Sequence, residues 1–235
     1  MKKILNFKYI ALFFVFAACE PELDNYAPPS ETLTGQVIDA VTGQSLITEQ
    51  PNGFRVRYRE IGYSESAPER NFWGKADGSF TNTKLFPNQY EVYVSDGPFL
   101  NPPVKTVDIK GGVTEVMFTV TPNLNVVNSS ATLSENILKV SFGINRPAAI
   151  TNKVKEAFVS ISLNPNVSFT LFQKQVKYDF RTTPDATVLA TTHGGAIDLA
   201  ALGLKKGYTY YVKIGAGVEG NVRYNYSPTF TIEYK

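Results

Sequence analysis

The residue types that most often carry out protein chemistry are scarce in this sequence. Its 235 residues include one cysteine, Cys19, and one histidine, His193. A Ser-His-Asp arrangement would have to use His193, yet no Gly-x-Ser-x-Gly motif is present. His193-Gly194-Gly195 has the composition of a loop. One histidine and one cysteine also leave too few ligands for a zinc site. We therefore expect no catalytic residues, no metal and no cofactor.

The acidic residues also give no sign of a catalytic site. Glycoside hydrolysis needs two carboxyl groups about 5 to 10 Å apart. Asp39 and Asp77 are the most prominent acids, but both lie in turn sequences, where aspartate bonds to its own backbone. No Asp-x-Asp-x-Asp-Gly loop is present for calcium. The sequence therefore favours a protein that is not an enzyme.

Cys19 follows a short leader. The leader carries Lys2, Lys3 and Lys8 and an apolar run over residues 10–18, which is shorter than the roughly 20 residues that span a bilayer. Two small residues precede Cys19, as in a bacterial lipobox, in which the cysteine becomes lipid-modified. We predict a signal peptide over 1–18, lipidation of Cys19, and a linker over 19–31. The alternative is a secreted protein with a free or buried Cys19.

Removing the leader changes the charge balance of the chain. The full sequence has 23 Lys and Arg against 21 Asp and Glu, and the leader holds three of the lysines and no acid. The remaining 20 against 21 give no basic surface for nucleic acid, so we expect no nucleic-acid partner. With one cysteine, disulfides within the chain are excluded, and stability must come from buried cores.

Aromatic side chains near loops are the best candidates for ligand binding, because sugar rings stack on flat side chains. We predict ligand-binding roles for Tyr63, Phe72 and Trp73 around the loop at 61–71, and for Phe99 in the loop at 95–103. A simple strand count places these loops at opposite ends of their domain. The alternative for Trp73 is a position in the core.

Two further sets of residues have competing interpretations. Tyr178, Tyr224 and Tyr226 are either a binding platform or aromatic residues that pack against neighbouring strands. Alternate positions of 54–59 carry three arginines, which would either meet an acidic glycan or protect an edge strand from aggregation. We favour the edge-strand interpretation.

Period-2 alternation organises the rest of the chain. It is clearest at 54–59 and 89–95, and the dipeptide Asp77-Gly78 is typical of a tight hairpin. We predict an all-β protein of two tandem β-sandwiches, at 32–122 and 123–235, since 121–125 breaks the strand pattern. Strands of the second sandwich are expected at 137–144, 157–163, 175–182 and 187–190, with one helical turn at 200–203. Tyr210 has the position of a tyrosine corner, with Val212 and Ile214 facing inward.

Several motifs resemble known families. The stretches 35–43, 77–80 and 85–92 resemble the carboxypeptidase regulatory-like, or transthyretin-like, sandwich, and the region around Tyr210 resembles fibronectin type III and immunoglobulin-like domains. Together with Cys19, this organisation is similar to the Bacteroidetes surface lipoproteins of domain-of-unknown-function family 3823. The acidic segment 20–24 resembles their surface-export signal, although it also has the composition of a plain tether.

This resemblance implies a function and a location. It implies an accessory glycan-binding component of a starch-utilisation-type uptake system, anchored to the outer membrane by lipid and facing outward. The expected partners are the membrane, glycans and components of an outer-membrane importer. The alternative is a structural or interaction module that docks on the importer or on another surface protein.

Overall fold

The structure is a computed structural model that describes residues 27–62 and 67–235. The predicted signal peptide, Cys19 and Tyr63 lie outside the described residues. The described part is almost entirely β-structure, as the sequence predicts. None of its helices has the length and apolar character that crossing a membrane requires.

The first half of the described chain forms a two-sheet sandwich. Its strands are β1 (Glu31–Asp39), β2 (Arg55–Glu60), β3 (Arg70–Trp73), β4 (Ser79–Leu85), β5 (Asn88–Ser95), β6 (Phe99–Leu100), β7 (Lys105–Ile109) and β8 (Val113–Pro122). One sheet has the order β4-β1-β8-β6 and the other β3-β2-β5-β7. We call this unit the N-terminal sandwich.

Alternation along the strands builds the core of the N-terminal sandwich. On β1, Leu33 and Val37 are fully buried, and they join the rings of Phe54, Phe80 and Phe118. Gly35 lies between these two positions, where a Cβ atom would approach the carbonyl oxygen of Val116 to 1.9 Å. Glycine is therefore required at this point, where β1 runs parallel to β8.

The turn at Asp77-Gly78 is present, but it does not close the predicted hairpin. Gly78 has a φ of 79°, and the Asp77 carboxylate accepts a hydrogen bond from the Ser79 amide at 3.0 Å. The strands on either side, β3 and β4, belong to different sheets. The turn therefore carries the chain across the sandwich, which local sequence does not distinguish from a hairpin.

The second half forms the C-terminal sandwich. Its elements are β9 (Asn125–Ser134), β10 (Ile137–Asn145), β11 (Val154–Ser162), β12 (Lys174–Asp179), α1 (Asp185–Ala190), β13 (His193–Asp198), β14 (Tyr208–Val218), β15 (Asn225–Tyr226) and β16 (Phe230–Tyr234). One sheet has the order β13-β10-β9. The other has the order β12-β11-β14-β15, with β16 also pairing with β14.

The tyrosine corner is confirmed. The hydroxyl of Tyr210 donates to the carbonyl oxygen of Lys205 at 3.0 Å and accepts from the amide of the same residue at 3.0 Å. Val212 and Ile214 are fully buried, as the alternation predicts. The N-terminal sandwich has a similar contact, in which Tyr90 donates to the carbonyl oxygen of Phe86 at 3.0 Å.

Two local expectations for the C-terminal sandwich are wrong, and a third is confirmed. The predicted strand at 187–190 is the end of α1, since Pro184 and Asp185 supply a helix start that outweighs the β-branched residues. The predicted loop at His193 is the beginning of β13, which pairs with β10. The single helical turn expected at 200–203 is present, since the Leu202 amide donates to the carbonyl oxygen of Asp198 at 3.1 Å and the Asp198 carboxylate accepts from the amides of Ala200 and Ala201.

A very short connection joins the sandwiches. Only Asn123 and Leu124 separate β8 from β9. The Asn123 amide donates to the carbonyl oxygen of Pro98 at 2.8 Å, and the Leu124 amide donates to the side-chain oxygen of Asn225 at 3.0 Å. The Asn225 side chain in turn donates to Pro98 at 3.1 Å, so the connection is held from both sides.

Candidate functional site

A buried polar cluster joins the two sandwiches. Glu49 of the N-terminal sandwich is 3% exposed and accepts hydrogen bonds from the Tyr226 hydroxyl at 3.0 Å and the Thr170 hydroxyl at 3.3 Å. Lys213, 4% exposed, donates from its ammonium group to the carbonyl oxygen of Thr48 at 2.8 Å. These contacts cross between the sandwiches, and they satisfy charges that would otherwise be costly to bury.

Burial also shifts the ionisation of this cluster. Desolvation lowers the pKa of Lys213 to about 8, and the attraction of Glu49 opposes that shift. Desolvation, with Glu49 close by, raises the pKa of Tyr226 well above its usual range. Tyr226 therefore remains a neutral hydrogen-bond donor at any physiological pH.

An apolar cluster surrounds these polar groups. The rings of Phe158, Tyr224 and Tyr226 pack together, with Phe169 and Ile47 against them. Ile47 comes from the N-terminal sandwich and the rings from the C-terminal one. The contact between the sandwiches therefore combines apolar packing with bonded charges.

The outer surface of β2, β3 and β5 carries a row of planar polar side chains. Arg55 lies opposite Trp73, and Arg57 lies between Asn71 and Tyr93 in the strand register. We call these five residues the arginine face. They point away from the core because Val56, Phe72 and Val94 occupy the alternate positions.

Ion pairs hold the arginine face in place. The Arg57 guanidinium donates to Glu69 at 2.6 Å and to Asp96 at 2.9 Å, while that of Arg55 donates to Asn71 at 2.5 Å. The Tyr93 hydroxyl donates to Glu69 and, together with Arg57, keeps the pKa of that carboxyl below its usual value. These residues fix one another's positions on the sheet.

One end of the arginine face opens into a cleft between the sandwiches. The cleft has a volume of about 440 Å³. Its lining consists of Arg55, Asp96, Gly97, Phe99, Asn101, Gly220, Asn221, Val222 and Arg223. The Asn221 side chain donates to the carbonyl oxygen of Gly97 at 3.1 Å and so ties the two walls together. We call this space the interdomain cleft.

Trp73 lies beside two arginines of the interdomain cleft. The guanidinium carbon of Arg55 is 4.2 Å from the centroid of the Trp73 ring, and that of Arg223 is 5.4 Å from it. Both distances allow cation–π attraction. Residues from both sandwiches thus converge on one aromatic ring.

The structure separates the predicted ligand-binding residues. Phe72 points inward, with its ring edge-on to Tyr58 at 6.0 Å. Phe99 is 5% exposed, and its ring packs against Phe54 at 6.4 Å. Both rings pack with the core rather than forming an exposed stacking platform, although Phe99 also contributes to the lining of the interdomain cleft. Trp73 lies on the outer surface of its sheet and is partly exposed. Among Phe72, Trp73 and Phe99, it therefore remains the candidate for stacking against a ligand.

Two interpretations of charged and aromatic rows need correction. β2 pairs with β3 on one side and β5 on the other, so its arginines do not protect an edge strand. Tyr224 and Tyr226 are 4% and 6% exposed, and Tyr178 packs edge-on against Phe142 in the C-terminal core. The three tyrosines therefore form no common platform.

Asp39 and His193 both have local structural partners. The Asp39 carboxylate accepts from the amides of Val41 and Thr42, as expected for a turn aspartate. A ring nitrogen of His193 lies 2.8 Å from the carbonyl oxygen of Val188, between the rings of Phe142 and Phe180. Across residues 27–62 and 67–235, no group of three potential metal ligands was found.

The loop at 61–71 begins after Glu60 at one end of β2 and the loop at 95–103 begins at Ser95, which pairs with Arg55 at the other end, as the strand count predicts. The side chain of Arg57 nevertheless reaches both, since it contacts Glu69 and Asp96. Asp96 has a φ of 55°, a left-handed conformation that is unusual for a residue with a side chain. This conformation places its carboxylate between the arginine face and the cleft.

Comparisons with known proteins agree on the fold. Residues 31–121 match the family described as "Protein of unknown function (DUF3823) N-terminal domain". A solved structure from Bacteroides uniformis named "putative carbohydrate binding protein" is 22% identical and has a TM-score of 0.73, with 87% of this chain and 99% of that chain covered. A comparison with curated proteins found no match.

Two solved structures of DUF3823 family proteins are also similar. The one from Parabacteroides merdae is 22% identical with a TM-score of 0.73, over 88% of this chain and 100% of that one. The one from Bacteroides ovatus is 19% identical with a TM-score of 0.71, over the same shares. These likenesses cover both sandwiches, and at such identities they establish the fold alone. The predicted resemblance to this family is confirmed by the match of residues 31–121 to the model of its N-terminal domain.

Proposed function

We propose that this protein binds glycans without catalysing a reaction, and that it does so in the interdomain cleft beside Trp73. We further propose that lipid on Cys19 tethers it to the outer membrane, facing outward, as an accessory component of a starch-utilisation-type uptake system. The observation that carries the binding proposal is the convergence of planar polar side chains from both sandwiches on one aromatic ring.

The chemistry of the cleft suits a sugar. Arg55, Asn101, Asn221 and Arg223 supply hydrogen-bond donors, and Asp96 supplies acceptors. Hydroxyl groups of a sugar ring need both kinds of partner, and the ring of Trp73, which lies next to Arg55 and Arg223 of the lining, would add apolar surface for the sugar. A volume of about 440 Å³ is in the range of ordinary ligand pockets.

The contacts between the sandwiches also favour binding in this place. Glu49, Tyr226 and Lys213 hold the two walls together through buried bonds. A cleft that is already assembled loses less entropy when a ligand enters it. The similar Bacteroides uniformis structure, which spans both sandwiches, is described as a "putative carbohydrate binding protein", in line with this function.

The test is a glycan-array and polysaccharide-retention screen of purified residues 20–235. We expect at least one polysaccharide to be retained, and Trp73→Ala to weaken that binding by about two- to tenfold, because an aromatic contact of this kind is worth roughly 0.5 to 1.5 kcal/mol. Tyr208→Ala is the matched control, since Tyr208 is 50% exposed and lies at the start of β14, away from the cleft.

Two results would contradict the proposal. If the screen covers neutral and charged polysaccharides and none is retained, the protein is not a glycan-binding module. If glycans bind but Trp73→Ala and Tyr208→Ala behave alike, the site lies elsewhere. Thermal unfolding of both variants shows whether either change has disturbed the fold.

A docking role is the second candidate, favoured by exposed apolar residues on β8. Val113 is 70% exposed and Met117 is 42% exposed on the outer surface of that strand. Such residues are typical of protein contacts when they form a patch. Co-purification of the anchored protein with importer components, lost in Val113→Lys while glycan binding is retained, would favour this role.

A further inference from the structure

Arg223 has unused hydrogen-bonding capacity at the wall of the interdomain cleft. Its guanidinium lies 3.9 Å from a carboxylate oxygen of Glu49, which is beyond a normal hydrogen bond. Among residues 27–62 and 67–235, its guanidinium makes no side-chain hydrogen bond, although a guanidinium carries five N–H groups. Its side chain is 22% exposed, so these donors reach the cleft.

Arg55 is in a similar position on the opposite wall. Its Nε atom is 3.4 Å from Asp96, and one terminal nitrogen donates to Asn71 at 2.5 Å. The second terminal nitrogen has no hydrogen-bond partner in the described part of the chain. Its side chain is 34% exposed. Both guanidinium carbons therefore lie within 5.4 Å of one indole centroid and still have donors available.

The carboxylates nearest to Arg55 and Arg223, those of Asp96 and Glu49, are shared with other partners. Asp96 is held more closely by Arg57, at 2.9 Å, than by Arg55, and Arg57 also binds Glu69 at 2.6 Å. Glu49 is already bonded to Tyr226 and Thr170 and has buried Lys213 close by.

The local charge balance is positive. Four cationic side chains (Arg55, Arg57, Arg223 and Lys213) face three carboxylates (Glu49, Glu69 and Asp96). The surplus charge lies where the two arginines have free donors. An anionic ligand would therefore bind the free donors while the longer ion pairs of Arg55 with Asp96 and of Arg223 with Glu49 remain in place.

We propose that the glycan bound in the interdomain cleft is acidic, and that the carboxylate of a uronic acid residue lies between the guanidinium groups of Arg55 and Arg223. This inference rests on the proposed function. A carboxylate is planar and accepts two parallel N–H bonds from a guanidinium, which gives it an advantage over a hydroxyl. Trp73 then stacks against the sugar or against the bound guanidinium groups.

The experiment compares charged and neutral forms of the same sugar chain. Oligosaccharides of galacturonate, mannuronate and glucuronate are each tested beside their methyl esters, with the purified protein, by calorimetry at low and high salt. We expect at least one acid to bind at least about tenfold more tightly than its ester, because only the acid makes charge-assisted bonds. High salt should reduce this difference, since it screens charge.

Variants then identify the residues. Arg223→Gln and Arg55→Gln should each remove most of the preference for the acid. Arg59→Gln is the matched control, because Arg59 lies on the same strand but is paired with Glu91 at 2.6 Å, away from the cleft. Two independent arginine variants, each checked by thermal unfolding, guard against a loss caused by misfolding.

The outcomes distinguish this inference from the proposed function. If esters or other neutral glycans bind as well as the acids, and Trp73→Ala abolishes that binding, the cleft is a glycan site but not an acidic one. If the acids bind preferentially and Arg59→Gln reduces the preference as much as Arg223→Gln does, the assignment to the cleft is overturned. If no glycan of any kind binds, both proposals are overturned.

Discussion

The stability of the wild-type protein should rise as the pH increases from 7.5 to 9, and the substitution Lys213→Met should abolish this rise. Lys213 is 4% exposed, and burial lowers its pKa to about 8, whereas a lysine in an unfolded chain titrates near 10.4. Between these values the unfolded chain binds a proton that the folded chain has released. The free energy of unfolding therefore rises with pH between these two pKa values. Below the lower value, the contribution of Lys213 does not change with pH.

The size of the effect follows from the two pKa values. Linkage between them gives a gain of about 1 kcal/mol in the free energy of unfolding from pH 7.5 to pH 9. The buried tyrosines act in the opposite direction at higher pH. Tyr224 and Tyr226 have raised pKa values, so they ionise first in the unfolded chain and lower stability above about pH 10. Measurements should therefore stop at pH 9.

Urea unfolding at several pH values between 7.5 and 9 measures this slope. Lys213→Met also removes the hydrogen bond to Thr48, which lowers the free energy of unfolding by the same amount at every pH. The comparison uses only the change in the free energy of unfolding with pH, so this constant loss does not affect it. Lys206→Met is the control, because Lys206 is exposed. If the wild-type protein shows no rise, or if Lys213→Met shows the same rise, then Lys213 does not titrate in this window and the reasoning from burial fails.

Two further predictions concern the corner and the anchor. Tyr210→Phe should lower the free energy of unfolding by roughly 1 to 3 kcal/mol, because it removes a buried hydroxyl that both donates to and accepts from Lys205; a loss below about 0.5 kcal/mol in urea unfolding would show that the corner is not stabilising. Cys19→Ala should release the protein from the membrane fraction, since lipidation needs the thiol; unchanged sedimentation with membranes would refute the proposed anchor.

Local periodicity was sufficient to predict most strands. The alternation at 54–59 and 89–95 gives the correct inward residues, including Val56 and Val92, and the spacing before Tyr210 gives the correct corner. Local patterns did not reveal where strands pair. The arginines of β2 were assigned to an edge because nothing within one strand indicates whether it has neighbours on both sides.

The candidate site was predicted only in part, for a related reason. Trp73 stands out by residue type, but Arg223 reaches it, and Asn221 reaches the interdomain cleft, only through the packing of the two sandwiches. Lys213 and Tyr226 occupy outward positions of their sheet and are buried by the other sandwich. One feature of the sequence does indicate this contact. The stretch 157–161 of β11 has few polar residues, which is typical of a strand that is covered on both faces, and it is buried on both faces in the structure.

The position of β1 has a mechanical consequence. β1 lies between β4 and β8, with hydrogen bonds on both sides, and its Asp39 end contacts Asn125 of the C-terminal sandwich. Under the proposed tethering, a pull between the anchor and a bound polysaccharide would act along this strand from its Glu31 end. Backbone hydrogen bonds that run across the direction of force must break together rather than one by one. The first strand behind the tether is thus placed to bear tension without unravelling.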